Sequence, residues 1–230
     1  SSSNRKIGRL MKEKNIEISV LVTAYNEQAY IGRCLRSLLD QSLPRHVFEI
    51  IVVNDASTDL TSYALDVFGE SIRVINNGKN LALPASINRG IEVARGDYIV
   101  RVDGDDYVNS EFLNFLHSYL TFNEYVDAVA CDYFLVDDDE QVISRANCDL
   151  EPIGCGIMFK RRHLIDVGLY DPAFKRHEDK DLRLRFEQKY SVKRLDLPLY
   201  RYRQHQNNIT SNTVLMDKYM EALKVKHNLK

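Results

Sequence analysis

The chain of 230 residues has the length of one domain that can bury a substantial core. A formal net charge of −2, without a long basic stripe, argues against a nucleic-acid partner. The longest apolar runs, such as residues 50–53, are too short to span a bilayer, and residues 1–6 lack the apolar stretch of a secretory signal. The four cysteines have no CxxC spacing, which argues against a disulfide framework and favours a reducing, cytoplasmic setting.

The first half of the chain alternates predicted strands and helices. Short apolar runs predict strands at residues 18–23, 48–53, 72–75 and 98–102. Between them, apolar residues recur at helical spacing and predict helices around residues 31–39, 60–68 and 87–94. Ser57 or Thr58 can cap the second of these helices. This alternation predicts an α/β fold with a mainly parallel central sheet flanked by helices.

The second half is less regular. Helices are expected around residues 112–119, 164–165, 182–190 and 215–223. Strands are expected at residues 128–136, 141–145 and 192–197, the first two flanking an acidic turn. Since the sequence has neither an internal repeat nor a low-complexity linker, we expect one domain over residues 16–230, preceded by an extension at residues 1–15.

Three carboxylates, Asp103, Asp105 and Asp106, directly follow the fourth predicted strand. Open α/β sheets bind ligands at the carboxyl ends of their strands. Crowded carboxylates repel one another unless a cation or hydrogen-bond donors neutralise them, and Mg²⁺ binds such oxygens together with substrate phosphates. The cluster therefore predicts a metal–diphosphate site. The alternative is a polar turn in which an Asp caps the helix that begins near Ser110.

Two more polar loops, residues 23–27 and 54–59, follow the first and second predicted strands. An Asp or Asn at a strand end can bond to a base or a ribose, and Tyr25 can stack on a base or only close the core. Each loop alone is also typical of a capping turn. Because all three loops lie at the same predicted edge, together they favour a ligand site over three unrelated turns.

Three polar segments lie farther along the chain. Asn88 falls one turn inside the third predicted helix, facing either a nucleotide or solvent. Glu178 and Asp179 open a helix, where the macrodipole favours carboxylates; the functional alternative makes one of them a general base. His205 follows the last predicted strand. It is either an ordinary histidine of the surface or core, or it lies near the acidic cluster if its loop folds back.

Taken in order, these segments resemble the family-2 glycosyltransferases of the GT-A (nucleotide-diphospho-sugar transferase) fold. The resemblance runs from about Ile18 to Thr210, through residues 20–27, 51–59, 80–90, 96–106, 168–171 and 178–182. It implies a nucleotide-sugar-binding half at residues 16–106, an acceptor and catalytic half at residues 107–212, and a C-terminal helix at residues 213–230.

The resemblance also implies roles for individual residues. It implies an inverting transfer from a nucleotide-diphosphate sugar, with a UDP-sugar as the default donor, to a hydroxyl of a glycan or lipid-linked acceptor. Asp105 matches the metal ligand of the DxD motif, for Mn²⁺ or Mg²⁺, and His205 matches a histidine that completes the metal shell. Asp179 matches the catalytic base, supported by Glu178. Residues 154–156 resemble the glycine-containing segment close to donor and acceptor. The residues that match the nucleotide-sugar contacts are Thr23, Tyr25, Glu27, Asp55, Asn88 and Asp103.

The sequence departs from the family pattern at two points. Ala82 stands where the family often has Gly, and the lack of Trp rules out the Gln-x-x-Arg-Trp motif of processive synthases, which favours single additions. One alternative is a sugar-1-phosphate nucleotidyltransferase, but that class usually has a Gly-rich basic loop after the first strand, and residues 23–27 do not form one. The other alternative is a non-catalytic sugar-nucleotide-binding module. A lipid-linked acceptor would place a cytoplasmic enzyme peripherally at the inner membrane surface; the oligomeric state is left open.

Overall fold

A computed structural model describes residues 16–204 and 213–229, with only the backbone described for residues 213–215. The strands are β1 (Ile18–Ala24), β2 (Phe48–Asn54), β3 (Arg73–Asn76), β4 (Tyr98–Asp103), β5 (Tyr107–Val108), β6 (Ala128–Val136), β7 (Val142–Ala146), β8 (Ile157–Lys160) and β9 (Val192–Arg203). The helices are α1 (Ile31–Leu39), α2 (Thr61–Asp66), α3 (Leu83–Val93), α4 (Phe112–Phe122), α5 (Arg161–Asp166), α6 (Glu178–Glu187) and α7 (Thr213–His227), with a 3₁₀ turn at Gly69–Ser71. No helix in these described ranges is both long and apolar enough to span a membrane.

One sheet contains all the described strands, in the order β3-β2-β1-β4-β8-β6-β9-β5, with β7 paired to β6. Strands β1 to β4 are mutually parallel, and β6 and β9 form a second parallel pair. Strands β5, β7 and β8 pair antiparallel with their neighbours. The mainly parallel α/β sheet expected from the sequence is confirmed.

Helices cover both faces of this sheet. Along β1, Val20 and Val22 point into one hydrophobic core, while Leu21 points into the other, as the two-residue period of a strand requires. Helices α1 and α4 pack on the first core, and α3 and α6 pack on the second. Strands buried on both faces explain the nearly continuous apolar runs of β1 and β2.

The predicted cap of α2 is wrong. The N-cap residue is Leu60, which makes no side-chain cap bond; instead Asp59, just before it, accepts a hydrogen bond of 2.9 Å at Oδ1 from the Thr61 backbone N–H. Ser57 and Thr58 are engaged by the preceding loop instead: the Asn26 N–H donates to Ser57 Oγ at 3.0 Å, and the Thr58 N–H donates to Asn26 Oδ1 at 2.8 Å.

Two strands were not predicted, and a third is longer than predicted. Strand β8 lies antiparallel between β4 and β6, so residues 154–156, just before it, reach the carboxyl end of β4. There the Gly156 N–H donates to the Arg101 carbonyl at 3.1 Å. Strand β9 continues to Arg203, whereas the predicted strand ends at residue 197, and β5 pairs with this extension. The extension buries Tyr200 directly beneath the acidic loop.

Candidate active site

The carboxyl ends of β1, β2 and β4 lie side by side, so the three polar loops meet as expected. Thr23 of β1 is in register with Val53 of β2 and Asp103 of β4. Backbone hydrogen bonds continue past the strands, from the Asp55 N–H to the Ala24 carbonyl at 2.9 Å and from the Gly104 N–H to the Thr23 carbonyl at 3.2 Å. The edge is therefore one connected surface.

The first loop, residues 23–27, is held by hydrogen bonds, but the ring of its Tyr25 is exposed. Asn26 has a left-handed backbone (φ 56°) that brings its amide against residues 57–59, and the Glu27 N–H donates to Thr61 Oγ1 at 2.8 Å. Thr23 is buried, whereas Tyr25 is 48% exposed. Of the two alternatives for Tyr25, closing the core is wrong, and the ring stands free to stack on a ligand.

Asp55 is a fixed, buried carboxylate on the opposite side of this edge. It is 5% exposed, and its Oδ1 accepts hydrogen bonds from Asn77 Nδ2 at 2.7 Å and from the Leu81 N–H at 2.8 Å. Both bonds use the same oxygen, so the carboxylate is oriented without using Oδ2. An oriented carboxylate oxygen at a strand end suits a ribose hydroxyl or a base N–H.

Asn88, predicted to face either a nucleotide or solvent, is half-buried, and its amide is bonded to the protein backbone. Its Nδ2 donates to the Tyr170 carbonyl at 2.8 Å, and its Oδ1 accepts from the Tyr170 N–H at 3.0 Å. The side chain therefore joins α3 to the segment before α6. Its partner is 82 residues away, which a single sequence does not reveal.

Asp103, Asp105 and Glu27 form an acidic cluster around Gly104. A Cβ on Gly104 would lie 3.3 Å from Glu27 Cγ and 2.9 Å from the Thr23 carbonyl oxygen, so the loop packs directly on this side chain. Burial, followed by the negative charges of Asp105, Asp103 and Asp59, raises the pKa of Glu27 to about 8. This excess negative charge on oxygen donors suits a hard divalent cation such as Mg²⁺ or Mn²⁺.

Asp106 is placed differently from its two neighbours. It is 2% exposed, its Oδ2 accepts from the Tyr200 hydroxyl at 2.6 Å, and its Oδ1 accepts from the Arg203 N–H at 2.8 Å. Asp103, Asp106 and Cys155 present ligand atoms within 4.8 Å of one another. Hard cations prefer carboxylate oxygens such as those of Asp103 and Asp105 to a thiol, and burial raises the pKa of the Cys155 thiol well above its ordinary value.

Arg101 connects the acidic loop to α6. Its Nε and Nη2 donate to the two oxygens of Asp103 at 2.7 and 3.1 Å, and its Nη1 donates to Glu178 Oε1 at 3.3 Å. Burial raises the pKa of Glu178 to about 7, with Arg101 opposing this shift and Asp179 adding to it. Sequence reasoning missed Arg101, although a charged residue inside an otherwise apolar buried strand was a usable signal.

Asp179 lies beside Gly154 in the first turn of α6. A Cβ on Gly154 would lie 2.7 Å from Asp179 Cβ, so the two residues are in direct contact. Asp179 also lines a cavity of about 340 Å³ whose other walls are mostly apolar. They include Ile157, Phe159, Leu182, Met220 and Leu223, from β8, α6 and α7. The lining of this cavity includes none of residues 23–27, 54–59 or 103–106.

His205, predicted as a metal ligand, lies outside the described residues, which resume at Thr213. Glu178 and Asp179 lie in the first turn of α6, and the Asn88 amide is bonded to Tyr170. The other predicted residues lie at or just after the carboxyl ends of β1, β2 and β4: Thr23, Tyr25, Glu27, Asp55, Asp103 and Asp105. Their individual roles remain predictions.

Comparison with known proteins identifies the family. Residues 19–182 match the model described as glycosyl transferase family 2. The chain belongs to this family. Over 219 residues it is 32% identical to the uncharacterized glycosyltransferase EpsJ of Bacillus subtilis, covering 84% of this chain and 62% of EpsJ. It is 39% identical over 102 residues to a poly(ribitol-phosphate) beta-glucosyltransferase of Bacillus spizizenii, covering 43% of this chain and 16% of the relative. The chain thus spans less than two thirds of either relative's length.

Solved structures confirm the GT-A fold expected for this family. The S. aureus TarS 1–349 complex with UDP-GlcNAc superposes with a TM-score of 0.76 at 20% identity, over 92% of this chain and 66% of TarS 1–349. The mannosyltransferase PcManGT of Pyrobaculum calidifontis, in complex with GDP-Man and Mn²⁺, gives a TM-score of 0.75 at 18% identity, over 94% of this chain and 65% of that protein.

Proposed function

We propose that this family-2 domain is a metal-dependent, inverting glycosyltransferase. It moves one sugar per cycle from a nucleotide-diphosphate sugar to a hydroxyl of a glycan or lipid-linked acceptor. The observation that carries this proposal is the contact of Arg101 with both Asp103 and Glu178, because it unites the acidic loop and the start of α6 in one site. Family membership favours this activity over a sugar-1-phosphate nucleotidyltransferase.

The nucleoside lies, in this proposal, between the first two loops. Tyr25 stacks on the base with its exposed ring. The oriented carboxylate of Asp55 accepts a hydrogen bond from the base or the ribose. Thr23, Glu27 and Asp103 line the path from the nucleoside to the diphosphate. The UDP-GlcNAc complex of TarS and the GDP-Man complex of PcManGT support a sugar nucleotide, with a UDP-sugar as the first choice.

The acidic cluster fits a divalent cation, because its donors are carboxylate oxygens; burial, and then the charges of Asp105 and Asp103, already raise the pKa of Glu27. Asp105 is the proposed ligand, with Asp103 beside it, and Mn²⁺ in the PcManGT complex supports a metal of this class. When bound, the ion supplies Lewis-acid stabilisation of the charge on the departing diphosphate.

Asp179 is the proposed general base. The acceptor oxygen forms a bond to the anomeric carbon as the bond from that carbon to the diphosphate oxygen breaks, and nucleoside diphosphate leaves. Because attack comes from the face opposite the leaving group, the anomeric configuration inverts. Asp179 takes the hydroxyl proton, a role worth about 10²- to 10⁴-fold in rate. Its place in the wall of the cavity of about 340 Å³ supports an acceptor that binds on that side.

The test is turnover of a panel of UDP- and GDP-sugars with and without Mn²⁺, followed by the release of nucleoside diphosphate. We expect Mn²⁺-dependent release in the wild type and a loss of about 10²-fold or more in Asp179→Asn, with unchanged UDP affinity. Asp40→Asn is the matched control, since Asp40 is exposed at the opposite end of α1.

Near wild-type turnover in Asp179→Asn would eliminate this residue as the base. Tight UDP binding without turnover of any sugar nucleotide would instead support a non-catalytic binding module. Formation of a sugar nucleotide from a nucleoside triphosphate and a sugar-1-phosphate would identify a nucleotidyltransferase.

A further inference from the structure

We infer that Arg101 is a positioning residue for both halves of the site. It orients the Asp103 carboxylate, which contacts the donor, and the Glu178 carboxylate, which supports Asp179. The inference rests on the proposed function and deepens it, since it assigns a role to a residue that was not among the predicted site residues. Arg101 itself acts only through these two carboxylates.

Each nitrogen of the Arg101 guanidinium donates to one of these two carboxylates. Nε and Nη2 form a two-point contact with Asp103, and Nη1 turns to Glu178. The Arg101 and Glu178 side chains are 8% and 9% exposed, so water does not screen this pair, and the Asp103 side chain is only 24% exposed. A planar guanidinium fixes the direction of each partner as well as its distance.

The surroundings of Arg101 hold it in place from the remaining sides. Gly154 packs on it so closely that a Cβ there would lie 3.1 Å from Nη1. The Tyr170 side chain interacts with Arg101, and the Tyr170 backbone is bonded to Asn88 of α3. Arg101 thus stands where β4, the glycine segment, α3 and α6 meet.

Lysine at this position keeps the charge but cannot reproduce the geometry. An ammonium is a point charge without a planar fork, so one group cannot hold both oxygens of Asp103 and reach Glu178. Arg101→Lys should therefore fold, because the buried carboxylates keep a cation, yet it should loosen both of them. Each loosened partner affects a different kinetic constant.

The test is a pair of double-mutant cycles measured by donor turnover, with KM and kcat determined separately. We expect Arg101→Lys to raise the donor KM about tenfold and to lower kcat about 10- to 100-fold. In the Glu178→Gln background, Arg101→Lys should still raise KM, but its additional effect on kcat should be smaller than about threefold. With Asp103→Asn present, it should still lower kcat but leave KM almost unchanged.

Arg194→Lys is the matched control. Arg194 makes a similar two-point contact with Asp132, whose side chain is 1% exposed, at 2.9 and 2.6 Å. This control should lower the melting temperature without changing KM or kcat. The inference would be overturned if the effects of Arg101→Lys on KM and on kcat were the same in the Glu178→Gln and Asp103→Asn backgrounds as in the wild type. Arg101 would then only form a structural ion pair.

The inference and the proposed function fail in different ways. A wild-type protein that turns over no sugar nucleotide refutes the proposed function and any catalytic part of the inference. The donor part is then decided by titration calorimetry with UDP and Mn²⁺. An effect of Arg101→Lys on UDP affinity that disappears in the Asp103→Asn background supports it, and an effect that persists there refutes it.

Discussion

Alanine at position 154 should slow sugar transfer more than its small size suggests. The Gly154 Cβ would lie 2.7 Å from Asp179 Cβ and 3.1 Å from Arg101 Nη1. Ordinary carbon–carbon contacts are about 3.5–4.0 Å, so Asp179 has to move by about 1 Å. A displacement of that size at a catalytic group costs about 10²-fold in rate, or about 2.7 kcal/mol of activation free energy.

The stability cost should be modest by comparison. Overpacking by one methyl costs about 1–3 kcal/mol, and the backbone of Gly154 needs no left-handed conformation. We therefore expect Gly154→Ala to fold, with kcat lowered about 10²-fold and the donor KM changed much less. The measurements are thermal melting and steady-state turnover of the best sugar nucleotide.

Gly32→Ala provides the control for this substitution. A Cβ on Gly32 would lie 3.1 Å from Arg36 Nη1, the same distance that separates the Gly154 Cβ from Arg101, but Arg36 is exposed and can move. Inside α1, alanine should stabilise the protein by about 0.5–1 kcal/mol and leave kcat unchanged. A folded Gly154→Ala protein with wild-type kcat would refute the argument that the glycine sets the position of Asp179.

Two further predictions concern stability. Glu27→Gln should stabilise the metal-free protein increasingly as pH rises from about 4.5 to 8, since the wild-type carboxyl, with its pKa raised to about 8, stays protonated when folded but ionises when unfolded. Melting curves at pH 5 and pH 9 check this, and an equal gain at both would contradict it. Asp181→Ala should lower the free energy of unfolding, measured in urea, by about 3–5 kcal/mol. The Asp181 carboxylate is fully buried and is paired with Lys226 and His227 of α7, at 2.7 and 2.8 Å, and with Arg185 of α6. A loss below 1 kcal/mol would show that α7 is not anchored by these pairs.

Local patterns were enough to predict the first half of the fold. The spacing of Ile31, Cys34, Leu35 and Leu38 alone specifies the buried face of α1, and all four are fully buried. By contrast, residues 157–160 form a short run with no period of their own. They become β8 because β4 and β6 offer pairing edges on either side, a non-local cause.

The candidate site divides in the same way. Carboxylates placed after strand ends and at a helix start could be found from the sequence, because the edge of a parallel sheet is defined by chain direction. The contacts that orient them could not. Arg101 meets Glu178 across 77 positions and Asn88 meets Tyr170 across 82, so both pairings depend on how α6 and α3 pack against the sheet.

The acidic loop is held in place by the protein itself. Arg101 fixes the Asp103 carboxylate, the Tyr200 hydroxyl and the Arg203 N–H fix Asp106, and Arg203 Nε donates to the Asp105 carbonyl at 2.9 Å. These contacts fix the carboxylates of Asp103 and Asp106 and the backbone of Asp105 between them. Burial, followed by the negative charges of Asp105 and Asp103, raises the pKa of the neighbouring Glu27 to about 8. For this reason a divalent cation and a diphosphate would find a preorganised site, and little binding energy would be used in ordering it.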